Sequence, residues 1–506
     1  MPRRQGRRRE TEGWDMARNV GAEKMGTVPV GRLLISMSLP IMVSMMVQAL
    51  YNVVDSIFVA RLSENALTAL TLAFPVQNIL LGIATGTGVG TGALLSRALG
   101  AKQQERANRV AGNSIVLALL SSFVLMVFGF FCSEWIIALQ TDDAEIIRLG
   151  TEYLEIVTVL SFGIYFGICF NRLLLATGRT GLAMVVQLIG AITNIILDPI
   201  MIFGLFGCPA MGVAGAAYAT VIGQFLSMIV TIILNFRLND DVKLHLGCLR
   251  PSASIIRDIY RIGLPSVLMI AIGSIMTFSM NKILHAFSST AVAVFGAYFK
   301  LQSFVVMPIL GLNNGMIPII AYNYGARRKD RILGTYRYAV LLAVGCMLAA
   351  FALFLLAPQF LLGFFTPSDA MLAIGVPALR IMASSFLFAG FCIVSGGLFQ
   401  ALGRSMYSLF MSMARQLVVL IPVAYLLSLT GRVELVWFSF PAAELMAVTV
   451  SLTALRRILG LLKKELAEET VQEAMDEQIE SVLESAETVA QMEEELKQRA
   501  GEAIEP

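Results

Sequence analysis

The sequence has little charge and few of the side chains on which metal sites and membrane enzymes depend. Only 14% of its 506 residues are charged, and it holds two His, three Trp and six Cys. His245 and His285 lie far apart, and no two cysteines form a close pair of the zinc or redox type. The glycine-rich stretch at 86–92 is not followed by the Gly-Lys-Ser/Thr of a phosphate loop. We therefore expect a protein that is not an enzyme, that needs no cofactor and that binds no nucleic acid.

Long apolar segments dominate the chain instead. Hydrophobic residues make up 57% of it, and the mean hydropathy is +0.75, which is outside the range of soluble domains. A membrane-spanning helix needs about 20 apolar residues, and windows of that length predict an all-α integral membrane protein. The twelve predicted spans lie near 33–60, 66–95, 110–131, 150–175, 182–204, 213–236, 259–285, 291–321, 336–357, 374–401, 408–429 and 436–460. Glycines 86–92 fall within the second span, where small residues allow close helix packing.

The predicted loops differ in charge on the two sides of the membrane, which is the signal that sets topology. One side holds many cations, among them Arg106, Arg179, Arg257, Arg328 and Arg457, whereas the other has little beyond Arg61, Arg148 and Arg432. Both termini are therefore predicted to be cytoplasmic. The basic segment 1–31 is expected to lie against anionic lipid headgroups. The acidic tail 463–506 has the spacing of an amphipathic helix.

An internal repeat with a constant offset relates the two halves. Pro40 matches Pro265, and the offset defined by that pair continues without a gap through many spans. It pairs Phe74 with Phe299, Gln77 with Gln302, Gly86 with Gly311, Gly90 with Gly315, and Arg106 with Arg331. Each repeat holds six spans, so the copies are parallel and related by a pseudo-twofold axis along the membrane normal. We predict lobes at 32–236 and 259–462, joined by a cytoplasmic linker at 237–258, and a transporter in which one lobe rocks against the other.

Four stretches of the sequence resemble the multidrug and toxic compound extrusion (MATE) family. They are 48–55 (QALYNVVD), 194–199 (NIILDP), 215–220 (GAAYAT) and 321–326 (AYNYGA). The likeness covers residues 32–459. It implies a monomeric antiporter in the plasma membrane of a prokaryote that exports organic cations or amphipathic compounds in exchange for inward H⁺ or Na⁺.

The resemblance also assigns a candidate cation site to the first half. Asp55, Asn194, Asp198 and Thr220 match the positions of the branch of the family whose site lies in the N-terminal lobe. The acids of another branch, on the seventh and tenth spans, are missing here, since position 280 is Met280. In the second half, Lys300 and Glu444 are the charges that stand out. Gln48, Asn52, Lys300 and Gln302 are candidates for the substrate cavity.

The depth of these residues in the membrane, counted from the ends of their spans, indicates the same cluster independently of the family resemblance. Asp55 and Asp198 lie about five and six residues before the outer ends of their spans, roughly 8 Å deep at about 1.5 Å per residue, and Thr220 lies about 10 Å deep. Asn194 is one turn below Asp198 on the same face. Two carboxylates in a low-dielectric site repel unless one holds a proton or a cation lies between them, so the site suits either H⁺ or Na⁺. Pro199 frees the carbonyl of Ile195 and permits a coupling kink.

Other interpretations remain open from the sequence. The acids are more often functional than structural in a membrane, whereas Asn194 and Thr220 serve equally well simply to join helices. A flippase for a lipid-linked precursor would need a more cationic cavity, and the spans are poor in Arg and Lys. A passive channel fits the one-sided acid pair less well.

Overall fold

The computed structural model describes residues 21–60, 62–365 and 367–465, and these ranges contain helices and no strands. The long helices are α1 (Val30–Ala60), α2 (Glu64–Gly100), α3 (Gln104–Ala138), α4a (Ala144–Val159), α4b (Phe162–Ala176), α5 (Thr180–Phe203), α6 (Val213–Leu238), α7 (Ala253–His285), α8 (Ser289–Gly325), α9 (Lys329–Leu356), α10a (Asp369–Ala383), α10b (Phe386–Ala401), α11 (Ser405–Ser428) and α12 (Val433–Glu465). Short helical turns lie at Lys24–Thr27, Leu205–Gly207, Leu246–Leu249 and Pro358–Gly363.

The helices confirm the predicted spans. Ten of those described are long and apolar enough to cross a membrane. Two further pairs are bent, α4a–α4b by 44° and α10a–α10b by 49°, and they bring the number to twelve if each pair is one span. All twelve coincide with the segments expected from hydropathy, because apolar length is itself what decides which helices reach across a bilayer.

The repeat offset recurs in the backbone. Ser63 caps α2 by accepting from the N–H of Ala66, and its repeat partner Ser288 caps α8 by accepting from that of Ala291. Lys102 and Arg327 both have φ near +57°, and Gly178 and Gly403 both have φ near +75°. Identical caps and turns at equal spacing show that the two halves fold in the same way.

Close contacts between the halves follow the same symmetry. A Cβ on Gly100 would overlap the carbonyl oxygen of Tyr322, and one on Gly325 would overlap that of Arg97. The glycine-rich stretch 86–92 allows close helix packing, as predicted. A Cβ on Gly90 would overlap the carbonyl oxygen of Ile259. The same pattern joins Gly86 to Gly263 and Val267, Gly311 to Met42, and Gly315 to Ser38.

All of these contacts lie toward one end of the bundle, the end at which α2 and α8 finish. We call it the inner end, because the predicted topology places it on the cytoplasmic side. Residues 21–28 pack against both halves there. The backbone N–H of Ala22 donates to Asp241 of the linker, which forms an ion pair with Arg179 of the first half. Arg331 of the second half donates to the carbonyls of Met25 (2.9 Å) and Val28 (2.6 Å).

Contacts divide the chain into two units, 1–452 and 453–506. The described part of the second unit is helical and covers 453–465. The division does not fall at the expected boundaries 31, 236, 258 and 462, so those boundaries stay predictions. The basic run within 1–20 and the acidic tail beyond 465 lie outside the described residues.

Candidate functional site

Three of the four predicted cation-site residues meet between α5 and α6. The amide nitrogen of Asn194 lies 3.3 Å from Asp198 Oδ1 and 3.2 Å from Thr220 Oγ1. The side-chain amide of Asn194 makes more hydrogen bonds when its oxygen and nitrogen exchange places. Its nitrogen then donates to Asp198 Oδ2 at 3.1 Å, and its oxygen accepts from the hydroxyl and the backbone N–H of Thr220, each at 3.2 Å. Asp198 is fully buried and Asn194 nearly so.

Small residues bring these side chains together. A Cβ on Gly223 of α6 would lie 2.9 Å from the carbonyl oxygen of Gly190 on α5, and 3.6 Å from the Cβ of Asn194. A second close approach places Gly215 against the carbonyl of Met201. The two helices can therefore touch along their backbones, which is how short polar side chains such as Thr220 reach across a helix interface.

The fourth predicted residue, Asp55, lies on α1, but its side chain and that of Asn52 lie outside the described part of the structure. Its place along the helix is given by the helix bounds. Asp55 precedes the end of α1 by five residues and Asp198 precedes the end of α5 by five, so both lie about 7.5 Å from the outer helix ends. Thr220 follows the start of α6 by seven residues, which places it about 10 Å deep. Helix α1 packs directly against α5.

The other predicted residues are spread more widely. Gln48 on α1 accepts a hydrogen bond of 3.2 Å from Gln187 on α5, about two turns inward from Asn194. Lys300 is exposed and Gln302 half-buried on α8 of the second half. Neither forms a hydrogen bond or ion pair with residues in the described ranges. Pro199 lies within α5, next to Asp198.

Sequence reasoning missed Arg415 within a span and counted Arg172 only among the cations of the cytoplasmic side. Arg415 on α11 forms an ion pair of 3.4 Å with Glu444 on α12. Arg172 on α4b donates to Asn314 on α8 at 3.1 Å and so joins the halves near the inner end. Arg415 therefore joins Lys300 and Glu444 among the charges that stand out in the second half. Arg415 sat inside a predicted span, and the rule that intramembrane charges have a function would have found it.

The first-half cluster has the chemistry of a site for a small hard cation. A carboxylate, an amide and a hydroxyl offer oxygen atoms, which such ions prefer, and the buried carboxylate favours either a cation or a proton. The described ranges contain no group of three or more His, Cys, Asp or Glu that would bind a transition metal. Two small cavities border Gly88 near the inner end, away from this cluster.

The sequence and the fold both match known proteins. A profile of the MatE family matches twice, over residues 40–200 and 265–426, and the two matches begin at the repeat partners Pro40 and Pro265. The chain is similar to the multidrug export protein MepA of Staphylococcus aureus strain MRSA252, at 28% identity over 447 residues, which cover 87% of this chain and 96% of the relative.

Two solved structures have the same fold. One is a multidrug resistance MATE family transporter of the MOP superfamily in an outward-facing conformation. The other is a MOP superfamily transporter from Pyrococcus furiosus. Each superposes with a TM-score of 0.82 at 29% identity, covering 87% of this chain and 98% of that chain.

Proposed function

Since this chain belongs to the MatE family of multidrug and toxic compound extrusion transporters, we propose that it is a multidrug efflux antiporter. It exports organic cations or other amphipathic compounds in exchange for inward H⁺ or Na⁺, from the plasma membrane of a prokaryote and with both termini in the cytoplasm. The observation that carries the proposal is the contact of Asn194 with Asp198 and Thr220 in the buried interface of α5 and α6.

A buried carboxylate of this kind supports coupling to an ion gradient. Asp198 is fully buried, and an ionised carboxylate in such a place is costly unless a cation or a hydrogen-bond donor accompanies it. Asp55 lies on the adjacent helix α1, the same number of residues from the helix end as Asp198 on α5. Arrival or loss of a cation therefore changes the charge balance among α1, α5 and α6, which biases how these helices pack.

The pseudo-twofold contacts support alternating access. The halves meet tightly at the inner end through paired glycines such as Gly100 and Gly325, and the fold matches a relative described as outward-facing. Closure at one end by a symmetric set of contacts, which a rocking motion would break together, fits a transporter better than a passive pore. In the proposed cycle, the described conformation is the one that takes up the ion and releases the substrate.

The coupling is tested with purified protein in proteoliposomes loaded with a fluorescent organic cation such as ethidium. Imposed H⁺ and Na⁺ gradients are applied separately to the parent and to Asp55→Asn and Asp198→Asn. The matched control is Asp142→Asn, the same change at an exposed loop position. Gradient-driven efflux is expected in the parent and the control and is lost in both test variants. Parent-like efflux in Asp198→Asn would refute the coupling role of the cluster.

The same vesicles separate the transporter from a lipid flippase. Arg172 and Arg415 lie within the described spans, and each is engaged with a partner inside the protein, whereas Lys300 on α8 is exposed. Transport of a fluorescent phospholipid analogue without transport of ethidium would favour the flippase.

A further inference from the structure

The second half contains a buried ion pair in the region that corresponds to the cation cluster of the first half. Glu444 of α12 is 5% exposed, and its Oε2 lies 3.4 Å from Nη1 of Arg415 on α11. The other oxygen, Oε1, is buried and has no hydrogen-bond partner among the described residues. A carboxylate so deeply buried requires a positive charge or a proton.

The repeat places this pair between the helices that correspond to α5 and α6. In the first half, α5 and α6 meet through side chains 26 residues apart in sequence. In the second half, α11 and α12 meet through side chains 29 residues apart. Arg415 follows the start of α11 by ten residues, as Gly190 follows the start of α5, and Gly190 lies one helical turn from Asn194.

The backbone around Arg415 departs from α-helical geometry. Residues Ala414–Leu420 of α11 form a π-helical turn, in which the N–H of Ile421 donates to the carbonyl of Gln416. Pro422 follows and has no N–H to continue the α-helical pattern. Single π-turns inside α-helices frequently mark functional positions. The first half has an α-helical α5 at the same point.

Among the described residues, the ion pair of Glu444 is the one with Arg415. Buried Tyr298 of α8 and Cys392 of α10b lie close to Glu444, and Cys392 is a hydrogen-bond partner of it, but neither side chain carries a positive charge. Arg415 is its ion-pair partner in the described structure, and the side chain of Arg415 is 32% exposed. A guanidinium does not lose its proton in proteins, so its charge persists at every stage of a transport cycle.

We infer that Arg415 is a built-in cation, which fills in the second half the place that an exchangeable ion takes in the first. The comparison with the first half rests on the proposed function, whereas the role of Arg415 toward Glu444 does not. Because the cation is tethered, the second half takes no part in ion exchange. Coupling then depends on the first half alone, although the two halves share one fold.

The test removes the tethered charge and asks whether a free ion replaces it. Four proteins are compared, all in an Asp198→Asn background so that the first-half site contributes equally: the background itself, Arg415→Met, Glu444→Gln and the double variant. The thermal unfolding midpoint of each purified protein is measured against pH and against NaCl, with choline chloride to hold the ionic strength constant. Tyr298 and Cys392 interact electrostatically with both charges of the pair, so the pH series is kept below about pH 7.5, where thiols and phenols carry their protons.

Arg415→Met is expected to gain stability from H⁺ or Na⁺, since each supplies the positive charge that Glu444 then lacks. The background and the double variant should lack this gain. Addition of methylguanidinium should raise the midpoint of Arg415→Met and leave the double variant unchanged. The inference is overturned if Arg415→Met responds to ions and methylguanidinium no more than the double variant does.

If Arg415→Met does not fold, the double variant and Arg415→Lys still test the inference. Removing both charges of a buried pair is tolerated far better than removing one, so the double variant should still fold, and Arg415→Lys keeps a cation at the site. Purification of Arg415→Met in methylguanidinium then gives the decisive comparison, and absence of rescue counts against the inference. The separate comparison of Asp198→Asn with the parent tests the proposed function, so the two failures are distinguishable.

Discussion

Asn194 and Thr220 lie on consecutive helices, and the amide of one is 3.2 Å from the hydroxyl of the other. Through this contact Asn194 links Asp198, one turn away on its own helix, to α6. A change in the charge state of the carboxylate therefore reaches a second helix through a single side chain. The site is small, polar and buried, and it is held in place by close backbone packing rather than by long side chains.

Removal of the Thr220 hydroxyl should weaken the coupling ion without unfolding the protein. In Thr220→Val, the H⁺ or Na⁺ concentration that gives half-maximal efflux should rise by about 10- to 100-fold, because a hydrogen bond in a charged cluster contributes about 1.5–3 kcal/mol. Thr220→Ser keeps the hydroxyl and serves as the control. Equal ion dependence in the two variants would show that Thr220 only joins helices.

The close approach of α5 and α6 should be needed for the site to form. Gly223→Ala places a methyl group 2.9 Å from the carbonyl oxygen of Gly190, so the helices must separate, at a cost of about 1–3 kcal/mol. We expect weaker ion binding and a lower unfolding midpoint, measured by thermal unfolding with and without the coupling ion. Gly181→Ala, on the same helix as Gly190 and with open space around it, should behave like the parent.

The contact of Gly100 with Tyr322 should hold the inner end closed. A methyl group at Gly100 would overlap the backbone oxygen of Tyr322, so Gly100→Ala should shift the population away from the described conformation. Spin labels at the exposed positions Gln103 and Asp330 should report a longer distance across the inner end. Gly92→Ala, on the same helix with nothing within 4 Å, is the control, and an unchanged distance in Gly100→Ala would contradict the prediction.

The segment 21–28 should strengthen that closure. Arg331 donates to the carbonyls of Met25 and Val28, and loss of a hydrogen bond from a charged group costs about 1.5–3 kcal/mol. Arg331→Gln should therefore raise the fraction of molecules open at the inner end, as measured with the same pair of spin labels. Arg337→Gln changes an exposed arginine of the same helix and should leave the distance distribution as in the parent. The segment has no gating role if both variants give the same distribution.

Much of the site could be predicted from the sequence, because its members obey local rules. Asn194 and Asp198 are four residues apart on one helix, and a residue count from the helix end gives the depth of each. The meeting of Asn194 with Thr220 was also expected, since both helices turn at the same side of the membrane. The ion pair of Arg415 with Glu444 was not expected, because the repeat offset pairs neither residue with a charge in the first half.

What the sequence determined by itself is the architecture along the chain: the spans, the parallel repeat and the family. These features depend on apolar length and on the constant offset between the two copies, and both can be read without knowing which helices touch. Only the tertiary structure decided which end of the bundle is closed and which charges are paired. Those outcomes depend on how side chains and glycine surfaces from distant helices meet in space. The distance between Arg415 and Glu444 is set by a π-helical turn and by helix packing, and neither has a periodic signal in the sequence.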